Sequence, residues 1–155
     1  MNDPLPYTLR LLKSRLRTEW EIDQAMLRHE VPAENRQNTI ARLKEAKLLD
    51  DYRFALAWVH TRDRLSPRGE SVLRMELMQK GVPKHLIDQA LRERREAAEE
   101  LEDEQPTELE LARDLLERHT RQFASLAPEV RKRRQTAYLQ RRGFSYDVIK
   151  RILEA

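Results

Sequence analysis

Apolar residues fall at the same positions in two distant stretches of the chain when Gly81 is laid over Gly143, aligning ELMQKGVPKHLIDQALRER with AYLQRRGFSYDVIKRILEA. Counted from Val82 and Phe144, apolar side chains stand four, five, eight and nine positions on: Leu86, Ile87, Ala90 and Leu91, then Val148, Ile149, Ile152 and Leu153. That spacing is one face of an α-helix. A basic residue, Lys80 or Arg142, precedes each Gly. It predicts a helix ending there, closed by a Gly in the left-handed conformation that turns the chain. A third copy, AMLRHEVPAENRQNTIARLKEAKLL, aligns Val31 with Val82 and Phe144 and keeps Ile40 and Leu43 on the stripe. It diverges elsewhere: Glu30 stands in place of the Gly, and Asn35, Arg36 and Thr39 stand where the other copies are apolar.

Each copy opens with a further helical stretch, at residues 7–15, 51–62 and 108–119. The pattern therefore predicts an all-α fold of three tandem three-helix repeats. They span residues 1–49 (the divergent repeat), 50–95 and 108–155, with 96–107 as an acidic linker or an extension of the preceding helix. Such repeats bury their apolar faces mainly against neighbours, which predicts an elongated, curved array with a long concave face.

Composition agrees with that reading. Only 39% of the 155 residues are hydrophobic while 37% are charged, so the chain has little material for one thick core and much for solvated helix faces. Gly occurs three times, and Leu, Arg, Glu and Ala dominate, which favours helix almost throughout. Cys is absent, which excludes disulfides and thiolate chemistry. The first residues lack the apolar core of a signal peptide, and nowhere do about 18 apolar residues run together, so a cytoplasmic protein without membrane contact is expected.

The net charge of +3 conceals a separation of signs. Between Glu96 and Glu110 stand eight carboxylates and no Lys or Arg; between Arg118 and Arg151 stand ten Lys or Arg against Glu129 and Asp147. The basic stretch suits phosphate or an acidic protein surface as well as plain solvation of helices. Catalysis has no such support. His29, His60, His85 and His119 are isolated in sequence, without the spacing of metal ligands. Three glycines leave no room for a phosphate-binding loop or a nucleophile elbow. A non-enzymatic protein without cofactor or metal is expected.

The stretch KLLDDYRFALAWVHTRDRLSPRGESVLRMELMQKGV carries Leu48, Leu49, Asp50, Asp51, Arg53, Phe54, Ala55, Val59 and Arg62, then Glu76, Leu77, Lys80, Gly81 and Val82. With the ending QRRGFSYDVIKRIL, this arrangement resembles the RecX family of recombination regulators over nearly the whole chain. It departs from the family pattern at Pro67, Arg68, Gly69 and Glu70, where many members carry a Gly-Tyr-Gly-Pro stretch. The resemblance implies a protein that lodges in the groove of a RecA recombinase filament and modulates, most often inhibits, its ATP hydrolysis and strand exchange in recombinational repair and the SOS response; a monomer is expected.

The same residues have internal roles to weigh against that. Asp50 suits the N-cap of a helix and Asp51 its first turn. Phe54, Ala55, Trp58 and Val59 form a core-type stripe, with Gly81, Gly143 and Phe144 as turn and core residues. Glu76 and Lys80 form an i to i+4 pair, and Arg62 sits at a helix end that favours a cation. Arg53, Arg68 and Arg74 show no internal role in the sequence. With Arg62 and Lys80 they are the candidates for contact with the RecA filament. Arg131, Lys132, Arg133, Arg134, Arg141 and Arg142 are the candidates for weaker, sequence-tolerant contact with single- or double-stranded DNA. The rival reading is a helical DNA-binding module that needs no filament.

The periodicity predicts a helix-dominated circular dichroism spectrum, and the row of repeats predicts a radius of gyration above the roughly 15 Å of a compact chain this long. A strand-type spectrum, or scattering at the compact value, contradicts the array.

Overall fold

The computed structural model describes residues 2–100 and 106–155. Among the described residues the chain is helical without strands. The first repeat holds α1 (Leu5–Ser14), α2 (Glu19–Leu27) and α3 (Ala33–Glu45). The second holds α4 (Asp51–Leu65), α5 (Glu70–Gln79) and α6 (Lys84–Glu100). The third holds α7 (Glu108–Arg118), a four-residue α8 (Thr120–Phe123), α9 (Pro128–Arg141) and α10 (Tyr146–Leu153). The short α8 was not foreseen in the periodicity, because four residues are too few to show one. Of the acidic stretch, the part up to Glu100 continues α6, and residues 101–105, with Glu102, Asp103 and Glu104, lie outside the described residues.

Contacts divide the chain into two compact units: the described residues of Met1–Trp58 with Leu77–Asp88, and of Val59–Glu76 with Gln89–Ala155. The boundary falls within α4, α5 and α6. In the first unit Ile22, Met26, Val31, Leu43 and Leu49 form the core, with Leu5, Leu11, Leu12 and Ile40 packed against it. Two of the polar replacements of the first repeat are absorbed by local pairing. Arg36 donates from Nε to Asp23 (2.8 Å) and from Nη1 to the Val31 carbonyl (2.8 Å), while the buried Thr39 donates to the Asn35 carbonyl (2.8 Å). In the second unit Leu111, Ala112, Leu115, Leu116, Phe123, Tyr138, Leu139, Phe144 and Ile149 form the core.

The helix ends explain how one repeat grips the next. A helix leaves its first N–H groups and last carbonyls without partners. In the first unit the N-cap of α2, Thr18, accepts from Glu21 N–H (3.1 Å) and donates its hydroxyl to the Lys80 carbonyl (2.6 Å), just before the Gly81 turn. The Glu19 N–H at the start of α2 is bound by the Asp51 carboxylate (2.9 Å). The second unit repeats the arrangement one step along. Gly69 N–H donates to the Arg142 carbonyl (2.8 Å), the Ser71 hydroxyl to the Gly143 carbonyl (2.9 Å), and the Glu70 N–H is bound by Glu108 (2.8 Å). The Pro67 to Glu70 loop is thereby assigned a role: it docks the start of α5 onto the turn between α9 and α10.

Asp50 caps α4, accepting from Arg53 N–H (3.0 Å), and Asp51 stands in its first turn as the sequence suggests; buried there, Asp51 also serves the helix of another repeat. At the third repeat the equivalent first position of α9 is Pro128, which has no N–H to satisfy.

Gly81 and Gly143 adopt φ of 79° and 89°, as the pattern predicts. A second constraint appears only in three dimensions. A Cβ at Gly81 would overlap the Cβ of Trp20 on α2, one at Gly143 would come within 2.7 Å of Val72 on α5, and one at Gly69 would overlap the Gly143 carbonyl. Glu30 also takes a left-handed φ of 55°. It therefore makes the same turn as the glycines while standing exposed, so conformation selects against its side chain and space does not.

Other expectations are corrected by the same packing. Within the second unit Glu76 accepts from Arg62 Nε (3.1 Å), and within the first Lys80 pairs with Glu21 (3.5 Å), partners the helical spacing did not suggest. Phe54, Ala55 and Val59 are buried, but Trp58 is only half-buried, stacked 6.0 Å from Phe54 with Lys80 Nζ 5.3 Å from its ring centre.

Two tests follow from the helix ends. Gly81→Val and Gly143→Val should each destabilise by more than about 2 kcal/mol, from the left-handed backbone together with overpacking. Glu30→Gly should instead stabilise by roughly 0.5 kcal/mol, since relief of the left-handed penalty of about 1–2 kcal/mol outweighs the entropy cost of Gly of about 0.5–1 kcal/mol. Denaturant melts of the three variants decide it.

Burial holds the Asp51 carboxyl above its ordinary range, against the lowering effect of its bond from Glu19 N–H. A carboxyl raised in the folded state contributes stability that is present below its unfolded pKa and lost as pH rises through the folded value. Asp51→Asn keeps the acceptor and removes the charge. Stability of the wild type relative to this variant should therefore fall as pH rises above the ordinary carboxylate range. Asp51→Ala, which orphans the Glu19 N–H, should cost about 1–3 kcal/mol. Thermal melts across that pH range give both comparisons.

Candidate interaction surfaces

In the first unit, Arg53 is exposed on α4, and among the described residues no hydrogen bond or ion pair engages its side chain. Lys80 is committed inward to Glu21, a carboxylate that Arg15 also holds (3.0 Å), and to the face of Trp58.

The second unit gathers candidates that the sequence had assigned to different partners. Arg62 Nε and Arg68 Nε lie 3.1 and 4.0 Å from the two oxygens of Glu76. Arg68 lacks the freedom expected of it: its side chain is 16% exposed, and its Nη1 donates to Ser66 Oγ (2.8 Å) and to the Ser66 and Pro67 carbonyls (3.2 Å each). It braces the loop that docks α5. Burial, then the neighbouring Arg142 and Arg62, lower its pKa, and Glu76 and Tyr138 oppose them. Arg142 lies over the Tyr138 ring, its guanidinium carbon 5.0 Å from the ring centre. Arg74 is half-buried on α5 and has a partner of its own.

The basic run of α9 divides in two. Arg131 turns back to the carbonyls of Phe123 (3.2 Å), Ala124 (3.1 Å) and Leu126 (3.1 Å), closing the end of α8, an internal role that its place in a basic run concealed. Lys132, Arg133, Arg134 and Arg141 are exposed, and among the described residues no carboxylate pairs with them. Arg134 and Arg141, seven residues apart, share one stripe of the helix at 100° per residue.

Arg94 on α6, absent from any motif, is the most committed cation of the second unit. Its side chain is 9% exposed, and it donates to both oxygens of Asp63 (2.9 and 2.8 Å), to Glu108 (3.2 Å) and to the Arg68 carbonyl (3.0 Å). Burial is the largest influence on both Asp63 and Glu108 and raises them, against the lowering effect of Arg94. One signal for Glu108 was present in the sequence: Thr107-Glu108, like Asp50-Asp51, is a capping residue followed by an acid. Nothing comparable marks Arg94. Among the described residues no group of His, Asp and Glu is placed to hold a metal ion, and no helix is long and apolar enough to cross a membrane.

With this arrangement in hand, the chain compares closely with known proteins. Residues 50–91 match the second three-helix domain of RecX and residues 107–153 its third. The regulatory protein RecX of Streptomyces coelicolor is 34% identical over 145 residues, covering 94% of this chain and 72% of that protein. RecX of Chlorobaculum tepidum is 29% identical over 146 residues, covering 94% and 83%. A crystal structure of regulatory protein RecX superposes with a TM-score of 0.81 at 25% identity, over 97% of this chain and 71% of that one. RecX from Lactobacillus salivarius shares the fold, with a TM-score of 0.80 at 22% identity, over 97% and 92%. The first three carry the name regulatory protein. The helical repeats, the paired helix-end contacts and these likenesses agree: the chain belongs to the RecX family of regulatory proteins.

Proposed function

We propose that this chain acts in the cytoplasm as a monomer without cofactor, binding RecA recombinase filaments on DNA and restraining their ATPase and strand exchange. Membership of the RecX family over 94% of the chain carries this reading. The structure adds chemistry suited to it. Arg53 and the row Lys132, Arg133, Arg134 and Arg141 are exposed cations without a carboxylate partner among the described residues. A nucleoprotein filament offers both phosphates and protein carboxylates to such groups. The row on α9 also favours a second reading, a helical module that binds DNA with no need of the filament.

The two readings separate in a coupled ATPase assay. The chain should hydrolyse no ATP itself, yet lower the DNA-dependent ATPase of RecA when substoichiometric to it. Arg53→Glu should weaken that effect while changing stability by less than about 0.5 kcal/mol, as is usual for an exposed charge. Reversal of Arg133, Arg134 and Arg141 should chiefly weaken binding to naked DNA and flatten its salt dependence, since fewer counterions are released. Binding to naked DNA as tight as to filament, with the ATPase untouched at saturation, would leave the DNA module as the function.

A further inference from the structure

We propose that the hollow between α7, α8 and α9 in the second unit is a socket for one apolar side chain of a partner protein, carried next to a carboxylate. The inference rests on the filament reading above and deepens it: this part of the third repeat meets the protein of the filament, not its nucleic acid.

Size sets the class of occupant. The hollow measures about 200 Å³, and its mostly apolar wall includes Leu116 and Phe123. A closed apolar cavity of about 150 Å³ takes up benzene, whereas pockets for cofactors and drug-sized ligands run to about 300–1,000 Å³. The space therefore fits one group the size of a leucine or phenylalanine side chain. Leu116 and Phe123 belong to the core, 9% and 3% exposed, so the socket is backed by close packing. A phosphodiester gains nothing from such a wall, and a hydrocarbon side chain does.

Charge around the hollow sets the rest. Arg131 on α9 commits Nε and Nη2 to the carbonyls of Phe123, Ala124 and Leu126. These bonds fix the guanidinium without neutralising it, and among the described residues no carboxylate pairs with it and its Nη1 makes no bond. Gln135, one turn further along α9, and the exposed Arg113 on α7 line the same hollow, and among the described residues neither side chain makes a hydrogen bond. Arg113 reaches Glu110 only through space. Against the two cations stands one lining carboxylate, the exposed Glu117. The hollow thus carries a net positive charge and unused donors beside an apolar wall, which an apolar anchor with a neighbouring acid complements. Because Arg131 is already held in place, binding an acid there costs little further ordering.

The test titrates the full chain with RecA filaments assembled on oligothymidylate, and separately with naked oligothymidylate. Ala124→Trp fills the hollow without changing charge. It should weaken filament binding about 10-fold, the value of burying one aliphatic side chain, and leave naked-strand affinity as in wild type. Arg113→Glu should weaken filament binding about 5-fold, and Glu117→Gln should tighten it about 2-fold, a gain that a damaged fold does not produce. Blocked peptides probe the chemistry directly, by NMR of the isotope-labelled chain. Gly-Asp-Leu-Glu-Gly should perturb the Leu116 and Phe123 amides, and Gly-Asp-Ala-Glu-Gly should not. Wild-type filament affinity in Ala124→Trp and Glu117→Gln alike overturns the proposal, as does equal perturbation, or none, by the two peptides. Continued loss of filament binding in Arg53→Glu then leaves the filament reading standing and only the socket falls. If wild type binds no filament at all, that reading falls, while the peptides still decide the socket. A loss of naked-strand affinity in Ala124→Trp equal to its loss on filament makes the occupant nucleic acid, and self-association of wild type that Ala124→Trp abolishes makes it a second copy; either result overturns the assignment.

Discussion

The contact on which the packing of neighbouring repeats depends is the one between the N-terminus of a repeat's second helix and the glycine turn of the repeat after it. Both partners bring backbone groups with no mate in their own helix, the Glu19 and Glu70 N–H on one side and the Lys80 and Arg142 carbonyls on the other. Each is satisfied across the contact, within the first unit by Thr18 and Asp51 and within the second by Gly69 and Glu108. An orphaned backbone group at a buried helix end is costly, so the requirement propagates. It demands an acid at the start of α4 and α7, a glycine at 81 and 143, and a small or hydroxylated residue at 18, 69 and 71. At the start of α9 Pro128 removes the need by having no N–H.

The acids that perform this task are held away from water, and burial raises Asp51 and Glu108. In the second unit Arg94 answers the burial by binding Glu108 and Asp63 together and adding the Arg68 carbonyl. The hub therefore ties the docking carboxylate of α7 to the loop that Arg68 braces. A buried ion pair of this kind contributes less to net stability than to fixing one arrangement over others, since desolvation offsets much of the Coulomb gain.

Charge in this chain thus serves two purposes that look alike in the sequence. Arg94, Arg131 and much of Arg68 are structural, each bonded to carbonyls or buried carboxylates. Arg53, Lys132, Arg133, Arg134 and Arg141 face solvent. The first set fixes the helices locally, and the second set stays open to solvent.

The helical class, the glycine turns and the family were legible in the sequence because each depends on local rules. Period 3.6 marks a buried helix face, a basic residue before Gly marks a helix end, and the leucine, paired acid, arginine and phenylalanine pattern around Asp50 carries the likeness to RecX. The Asp50 cap was readable for the same reason, since its partner is three residues away. What the sequence left open were the contacts at long separation. Asp51 reaches Glu19, Thr18 reaches Lys80 and Arg94 reaches Asp63, with 32, 62 and 31 residues between the partners' positions. No local propensity distinguishes an arginine that will find a buried carboxylate from one that will find water. That choice belongs to the packing of helices, which decides which ends meet, which cations are enclosed, and which of many arginines remain for a partner.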